Sequence, residues 1–366
     1  MKKALIALAV LGAASGAAMA QSSVTLYGVA DIGIGKAAAQ GQTKWGAESN
    51  TVVTNGNSRI GLSVKEDLGG GLWAGAKFES NVNLANGATA GADPTKNDAT
   101  WSREANVQVG SDMFGTVKLG RSLTPSYNGV AAWELTGMAN YSVVANTYGW
   151  GAFAKNRTNA QLDYRTPSFA GISAELAYVP KANGGFLEGK APGQTVEYGV
   201  ANQTDRWDFN LIYANGALPG LSAAFTINKA NNVRNVNNPP GVTYSPAARK
   251  PNYTLGARYK FGDMFALAGG YHRSNYAPSW VKNTAQAAIF AKRYGFSLGG
   301  SFYSGPFTVT LDLTRDTKNE QFPNRKKYTN GLLEGKYSLS KRTFLYLDYT
   351  RLDSTNNYGI GVRHNF

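Results

Sequence analysis

The chain has 366 residues, with 37 Lys and Arg against 23 Asp and Glu for a formal net charge of +14, 43 glycines, 20 tyrosines and no cysteine. Without cysteine there are no disulfides, thiolate nucleophiles or Cys-type zinc sites, and with only two histidines, His272 and His364, there is almost no material for a His-dependent triad or a multi-histidine metal site. The basic residues are spread along the chain rather than clustered with stacking aromatics, so the anionic partner implied by the charge is not nucleic acid.

Residues 1–20 read MKKALIALAVLGAASGAAMA, with Lys2 and Lys3 before a short apolar run and Ala18-Met19-Ala20 at its end. This is the pattern of an export signal cleaved after Ala20, and the run is too short for a membrane helix. The mature chain, 21–366, loses Lys2 and Lys3, which takes the net charge from +14 to +12.

From Val24 the sequence alternates, with Val24, Leu26, Gly28, Ala30, Ile32 and Ile34 on one face and Thr25, Tyr27, Val29, Asp31 and Gly33 on the other. A period of two is the mark of a strand. The pattern returns over Arg59 to Lys65, breaks at Gly69-Gly70-Gly71 and resumes from Leu72 to Glu79, which is a hairpin with a glycine turn. The same unit recurs, with short turns near 111–115, 167–171, 215–220, 261–264, 304–306 and 338–342. Long polar connections alternate with them near 36–57, 81–101, 122–156, 180–205, 229–251, 274–291, 316–327 and 353–356. Sixteen strands result. One side of each is oily and the other polar, as in Trp207, Phe209, Leu211 and Tyr213 against Asp208 and Asn210.

A soluble sandwich would turn the oily faces inward, and periodicity alone does not say where they point. The export signal, the alternation of short turns with long loops and the aromatics at strand ends favour lipid contact. A membrane-spanning sheet must close, because hydrocarbon cannot satisfy a free edge, and sixteen strands enclose an aqueous channel. The expected fold is all-β: a 16-stranded antiparallel transmembrane β-barrel with an inward-folded third loop. That loop, 121–156, holds Tyr127, Trp133, Tyr141, Tyr148, Trp150 and Phe153, too many aromatics for a solvated segment. Its aromatics are expected to pack against the wall, with a short helical turn over Val130 to Met138.

Five segments carry a family resemblance: SSVTLYGVADIGI (Ser22 to Ile34), SRIGLSVKEDLGGGLWAGAKFE (Ser58 to Glu79), FGTVKLGRSLTP (Phe114 to Pro125), LDYRTPSFAGISAELAY (Leu162 to Tyr178) and YGIGVRHNF (Tyr358 to Phe366). Together they resemble the trimeric Gram-negative porins, particularly the betaproteobacterial branch. The resemblance implies a homotrimer in the outer membrane, in contact with outer-membrane lipid and lipopolysaccharide. The last strand, with Tyr358, Ile360, Val362 and Phe366 on one face, resembles the signal read by the barrel assembly machinery. His364 departs from the usual aromatic or apolar residue and is read as a strand residue rather than a ligand.

Alternation places Lys65, Lys77, Lys118, Arg157, Arg165, Arg258, Arg293 and Arg363 on lumen faces with Arg59, against acids that include Glu79, Glu104, Asp163, Glu175, Asp208, Asp312, Glu334 and Asp348. The resemblance implies a basic ladder at the constriction, matched here by Arg59 and Lys77 with Arg121 nearby, facing Glu134. Rings of basic residues select anions. The expected function is passive diffusion of ions and small hydrophilic, preferentially anionic solutes, with no cofactor or metal. Alternatives are a channel specific for organic anions or sugars and a barrel adhesin or receptor using Asn231 to Asn238. Calcium at Asp93 and Asp98 has no ligand spacing behind it. A barrel hydrolase would need His272 beside a nucleophile, and none adjoins it.

Overall fold

The structure is a computed structural model that describes residues 22–89, 100–149, 156–180, 206–230, 251–275, 292–320 and 326–366. The export leader, Asp93, Asp98, Trp150, Phe153 and Asn231 to Asn238 lie outside the described residues.

Each alternating segment forms a strand: β1 Ser22–Lys36, β2 Gly46–Glu48, β3 Arg59–Gly69, β4 Leu72–Asn81, β5 Glu104–Ser111, β6 Gly115–Leu123, β7 Arg157–Arg165, β8 Ile172–Val179 and β9 Arg206–Ala214. The series continues with β10 Leu221–Ala230, β11 Asn252–Phe261, β12 Phe265–Ser274, β13 Arg293–Ser304, β14 Phe307–Asn319, β15 Thr329–Ser338, β16 Thr343–Leu352 and β17 Thr355–Asn365. β2 is a three-residue piece of the first long loop laid against β1, and the other sixteen make the wall. All pairings are antiparallel between chain neighbours, and the ring closes on β1. The first half of β1 pairs with β3, from Ser22 opposite Glu66 to Val29 opposite Arg59. Its second half pairs with β17, from Val29 opposite Asn365 to Lys36 opposite Tyr358.

The direction of the oily face separates a barrel from a sandwich. Leu298 is 68% exposed, Val107 61% and Leu255 59%, whereas Asp31, Thr226, Asn228, Thr310 and Asn357 are fully buried. Such an inside-out pattern suits a wall with hydrocarbon outside and water within. Aromatic pairs mark the belt at the short-turn rim: Phe265 with Phe302 at 5.1 Å, Phe307 with Tyr337 at 4.8 Å and Tyr259 with Phe261 at 4.7 Å. Near the long-loop rim Tyr349 lies 5.2 Å from Tyr358 and Tyr271 5.1 Å from Phe296. The first short turn needs its glycines, since Gly69, Gly70 and Gly71 all have positive φ (80°, 62° and 78°).

The chain ends seat on one another. Phe366 and Gly28 exchange backbone hydrogen bonds, N to O, at 3.1 and 3.0 Å. The Phe366 ring covers Gly28 so closely that a Cβ there would stand 2.2 Å from Cζ and 2.7 Å from the Arg59 carbonyl. Gly28→Val therefore costs about 1–3 kcal/mol of overpacking at the seam. The expected outcome is a smaller fraction of folded barrel on refolding into detergent, read as the compact band on unheated gels, with Gly46→Val, which meets open space, as the neutral control.

Candidate functional site

The third loop leaves β6 at Thr124 and returns to β7 at Asn156. Of the expected helical turn over Val130 to Met138 only Val130 and Ala131 are helical, as the end of a helix that starts earlier, and a second helix follows the stretch. Helix α1, Pro125–Ala131, starts where Thr124 caps the Tyr127 N–H at 3.3 Å and proline occupies the first turn. Helix α2, Val143–Tyr148, starts on the cap Ser142. Between them, Gly137 and Met138 take positive φ (69° and 63°), a conformation outside the right-handed helix.

Successive contacts hold the loop to the inner wall. Ser126 donates from N and Oγ to Asp208 Oδ1 at 3.0 and 2.6 Å, and Asn128 donates to Glu175 at 2.8 Å. Trp133 lies flat on glycines of β11 and β12: a Cβ at Gly256 would be 2.0 Å from the indole and one at Gly270 2.9 Å. Arg258 donates to the loop carbonyls of Glu134 and Ala132 at 3.2 and 3.3 Å. Tyr141 donates to Glu334 at 2.5 Å and accepts from Asn55 at 2.7 Å. Tyr148 stacks on His272 at 4.6 Å, while the imidazole meets Ser297 Oγ at 3.0 Å. Trp133, Tyr141 and Tyr148 are buried, as expected of packing aromatics. So is His272, shut beneath the loop.

The loop covers the β8–β16 side and leaves open a recess of 190 Å³ against β3, β4, β5, β7 and β17. Five bases line it (Arg59, Lys77, Arg103, Arg157 and Arg363) against two acids, Glu79 and Glu104, so its side chains sum to +3. Glu79 is the hub. Its carboxylate meets Arg59 Nε at 3.5 Å, Arg103 Nε at 2.5 Å and Arg157 Nη2 at 3.8 Å, and accepts from the Tyr27 hydroxyl at 3.0 Å. Arg157 also reaches Glu104 at 3.6 Å. Tyr127, Gly137, Met138 and Asn140 form the loop side.

The structure brings Arg59 and Lys77 together here but not Arg121 or Glu134. Arg121 shares the outward face of β6 with Val117 and Leu119, and donates to the Ser102 carbonyl at 2.6 Å and to Asn159. A bulge between Gly120 and Ser122 interrupts pairing there, but inward Lys118 and buried Ser122 on either side keep the parity. Glu134 is fully buried and turned into its own loop, accepting from the Thr136 and Met138 amides at 2.9 Å each and from Thr136 Oγ1 at 2.6 Å. A lone acid in a glycine-containing turn satisfies that turn's backbone before it faces water. Arg293 is a second correction to the lining: it is buried in ion pairs with Asp316 at 2.9 Å and Asp353 at 2.5 Å. Lys118 faces inward beside Asp163 at 3.4 Å and Glu175 at 3.6 Å, Lys65 lies over Trp73 at 5.0 Å, and Arg165 is exposed at the short-turn rim opposite Glu175. Arg103 was missed because it precedes β5, where no alternation marks its face. His364 bonds Thr343 at 2.9 Å, and Tyr358, Ile360, Val362 and Phe366 all point outward.

The lumen acids are withdrawn from the channel. Asp31, Glu79, Glu104, Asp163, Glu175, Asp208, Asp312, Glu334 and Asp348 are all buried, while Arg59, Lys77, Lys118, Arg258, Lys336 and Arg363 keep accessible surface. A passing ion therefore meets a positive wall.

A sequence profile of Gram-negative porins matches residues 7–357. The chain is 35% identical over 270 residues to outer membrane porin protein 32 of Delftia acidovorans, covering 72% of this chain and 67% of that one. It is 27% identical over the full length of both to an outer membrane porin protein of Bordetella pertussis. Among solved structures, an anion-selective porin from Comamonas acidovorans superposes with a TM-score of 0.63 at 22% identity, over 94% of this chain and all of that one.

The glycine floor under Trp133 gives a direct test of what narrows the lumen. Gly256→Val places methyls inside the indole's volume and should lift the loop from the wall. Single-channel recording should then show larger or noisier conductance, whereas Gly46→Val, which meets open space without a positive φ, gives a control for expression and folding.

Proposed function

The chain belongs to the Gram-negative porin family, and on that premise we propose that it is an anion-preferring channel for passive diffusion of small hydrophilic solutes. A member of this family is an outer-membrane pore, and the sixteen-stranded wall leaves the water-filled lumen that such passage needs. The observation that carries the anion preference is the unequal accessibility of the two signs of charge: of five bases and two acids at the recess, both acids and one base, Arg157, are buried, while Arg59, Lys77, Arg103 and Arg363 keep accessible surface.

At physiological salt the Debye length is about 8 Å, so charges on the wall of a narrow opening act across it. Low-dielectric walls concentrate that field. Glu79 fits the reading despite its sign, because three guanidiniums and a phenol hold it and it in turn fixes their orientation. The Comamonas relative's description as anion-selective supports the same preference. Burial of Trp133, Tyr141 and Tyr148 disfavours a sugar track, since a stacking path needs aromatic faces open to the lumen.

The wider reading takes residues 1–20 as a removed signal peptide, the working form as a homotrimer and the outward face of β17, with Tyr358, Ile360, Val362 and Phe366, as the handle for the barrel assembly machinery. Outer-membrane lipid and lipopolysaccharide surround the belt, and no catalysis is assigned.

Planar-bilayer recording in a KCl gradient tests the reading. The expected reversal potential reports chloride preference, and replacing Arg59, Arg103 and Arg157 together by Gln moves it toward zero. A cation-preferring wild type would refute the proposal.

A further inference from the structure

Of the guanidiniums at the recess, Arg363 is the one whose charge no acid meets. Arg59, Arg103 and Arg157 pair with Glu79 or Glu104, whereas among the described residues no carboxylate lies within ion-pair distance of Arg363. Asp31, its register partner on β1, uses its two oxygens elsewhere, accepting from the Tyr346 hydroxyl at 2.6 Å and the Gly56 amide at 2.7 Å. What fixes Arg363 is neutral. Its Nη1 donates to Asn55 Oδ1 at 2.7 Å and its Nε to Asn365 Oδ1 at 3.1 Å, and the Phe344 ring flanks it at 5.9 Å. The head lies so close to Gly56 that a Cβ there would stand 2.7 Å from Nη1.

Asn55 belongs to the first long loop, is 4% exposed and joins three separate parts of the chain. Its backbone carbonyl accepts from the Asn140 amide at 3.2 Å, its Nδ2 donates to the Tyr141 hydroxyl at 2.7 Å and its Oδ1 accepts from Arg363. The neighbours decide which way the amide points. Tyr141 gives its one proton to Glu334, whose carboxylate also pairs with Lys336 at 2.8 Å, so towards Asn55 the phenol oxygen can only accept. The amide nitrogen therefore faces the third loop, and the amide oxygen is left for Arg363, a group that only donates. An aspartate in this place could not donate to Tyr141, and a leucine could serve neither group. The backbone on either side of Asn55 is tied down: Gly56 to Asp31, the Ser58 amide to Asn50 at 2.7 Å, and Thr54 and Asn57 to the Asn140 side chain at 3.0 and 2.8 Å.

We infer that Asn55 is a positioning residue for ion preference. It holds the Arg363 guanidinium towards the recess in an orientation set by the seat of Tyr141, so that the closure of the third loop and the charge met by a passing anion are coupled through one amide. The inference rests on the anion-preferring reading above, and it makes that preference depend on a fully buried phenol that no ion touches.

Planar-bilayer recording of the full purified protein in a KCl gradient tests the coupling with Asn55→Leu, Tyr141→Phe and Arg363→Gln, alone and in pairs. Asn55→Leu removes the acceptor that aims the guanidinium and should move the reversal potential towards zero. In the Arg363→Gln background the same substitution should add no further shift, because residues that act through one another are not additive. Tyr141→Phe keeps the ring that packs against Leu332 and Tyr346, removes only the hydroxyl, and should also move the potential, again only while Arg363 is present. It carries the test by itself should Asn55→Leu fold poorly. Shifts of equal size with and without Arg363 would make Asn55 a structural tie of the loop and overturn the inference, as would an unchanged potential in either single variant. A cation-preferring wild type would overturn the reading beneath it, whereas loss of the coupling in an anion-preferring wild type overturns this inference and leaves that reading standing.

Discussion

Hydrocarbon offers backbone amides and carbonyls no partner, and each unsatisfied group there costs several kcal/mol. Every other feature of the molecule follows from meeting that condition with strands. A sheet has two edges, so the chain must bring β17 back to β1, and β1 divides its length between β3 and β17 to do so. Once the ring is closed, apolar side chains must face outward, and the interior becomes a polar cylinder that needs no core in the usual sense. Among the described residues the hydrophobic clusters inside gather on the third loop, where Val130, Trp133 and Val144 meet Ala224 and Ala268, and where Tyr141 and Val143 meet Leu332 and Tyr346 together with Ala37, Val52 and Val53 of the first long loop.

That loop decides which part of the cylinder water can use. By lying on the side that carries Asp208, Asp312, Glu334 and Asp348, it removes those carboxylates from the channel and leaves the arginine-rich side open. Formal charge along the strands thus understates the field in the lumen. Two walls of similar composition become unequal because one is covered. The glycines at 256, 270, 295 and 299 are what let the cover lie close, since side chains there would collide with Trp133, Tyr148 and Leu135.

Architecture was legible because alternation, turn glycines and loop lengths are local signals repeated along the whole chain. Sixteen strands, their faces and the inward third loop could be read from these signals, and Arg59 and Lys77 could be placed by parity. The constriction was less legible wherever a side chain's fate depends on its immediate shell. Arg121 falls on the outward parity of β6, which a reading by proximity to the loop overlooked. Glu134 looked like a free acid in a basic eyelet, yet two amides and a hydroxyl within four residues of it take up its oxygens. Arg293 has lumen parity, but Asp316 and the distant Asp353 bury it. Arg103 sits before a strand begins, and only folding brings it onto Glu79. Parity predicts direction, whereas accessibility needs partners that are remote in sequence.

The seam between β1 and β17 joins the first described residues to the last ones of the chain. Contacts of such large sequence separation form late and slowly, because the intervening chain must be ordered before they bring any gain. A nascent molecule therefore carries two raw edges throughout its assembly, each a template for adhesion to other unfinished chains. A chain without β17 would leave β16 and the second half of β1 unpaired, an open ribbon instead of a slightly smaller ring.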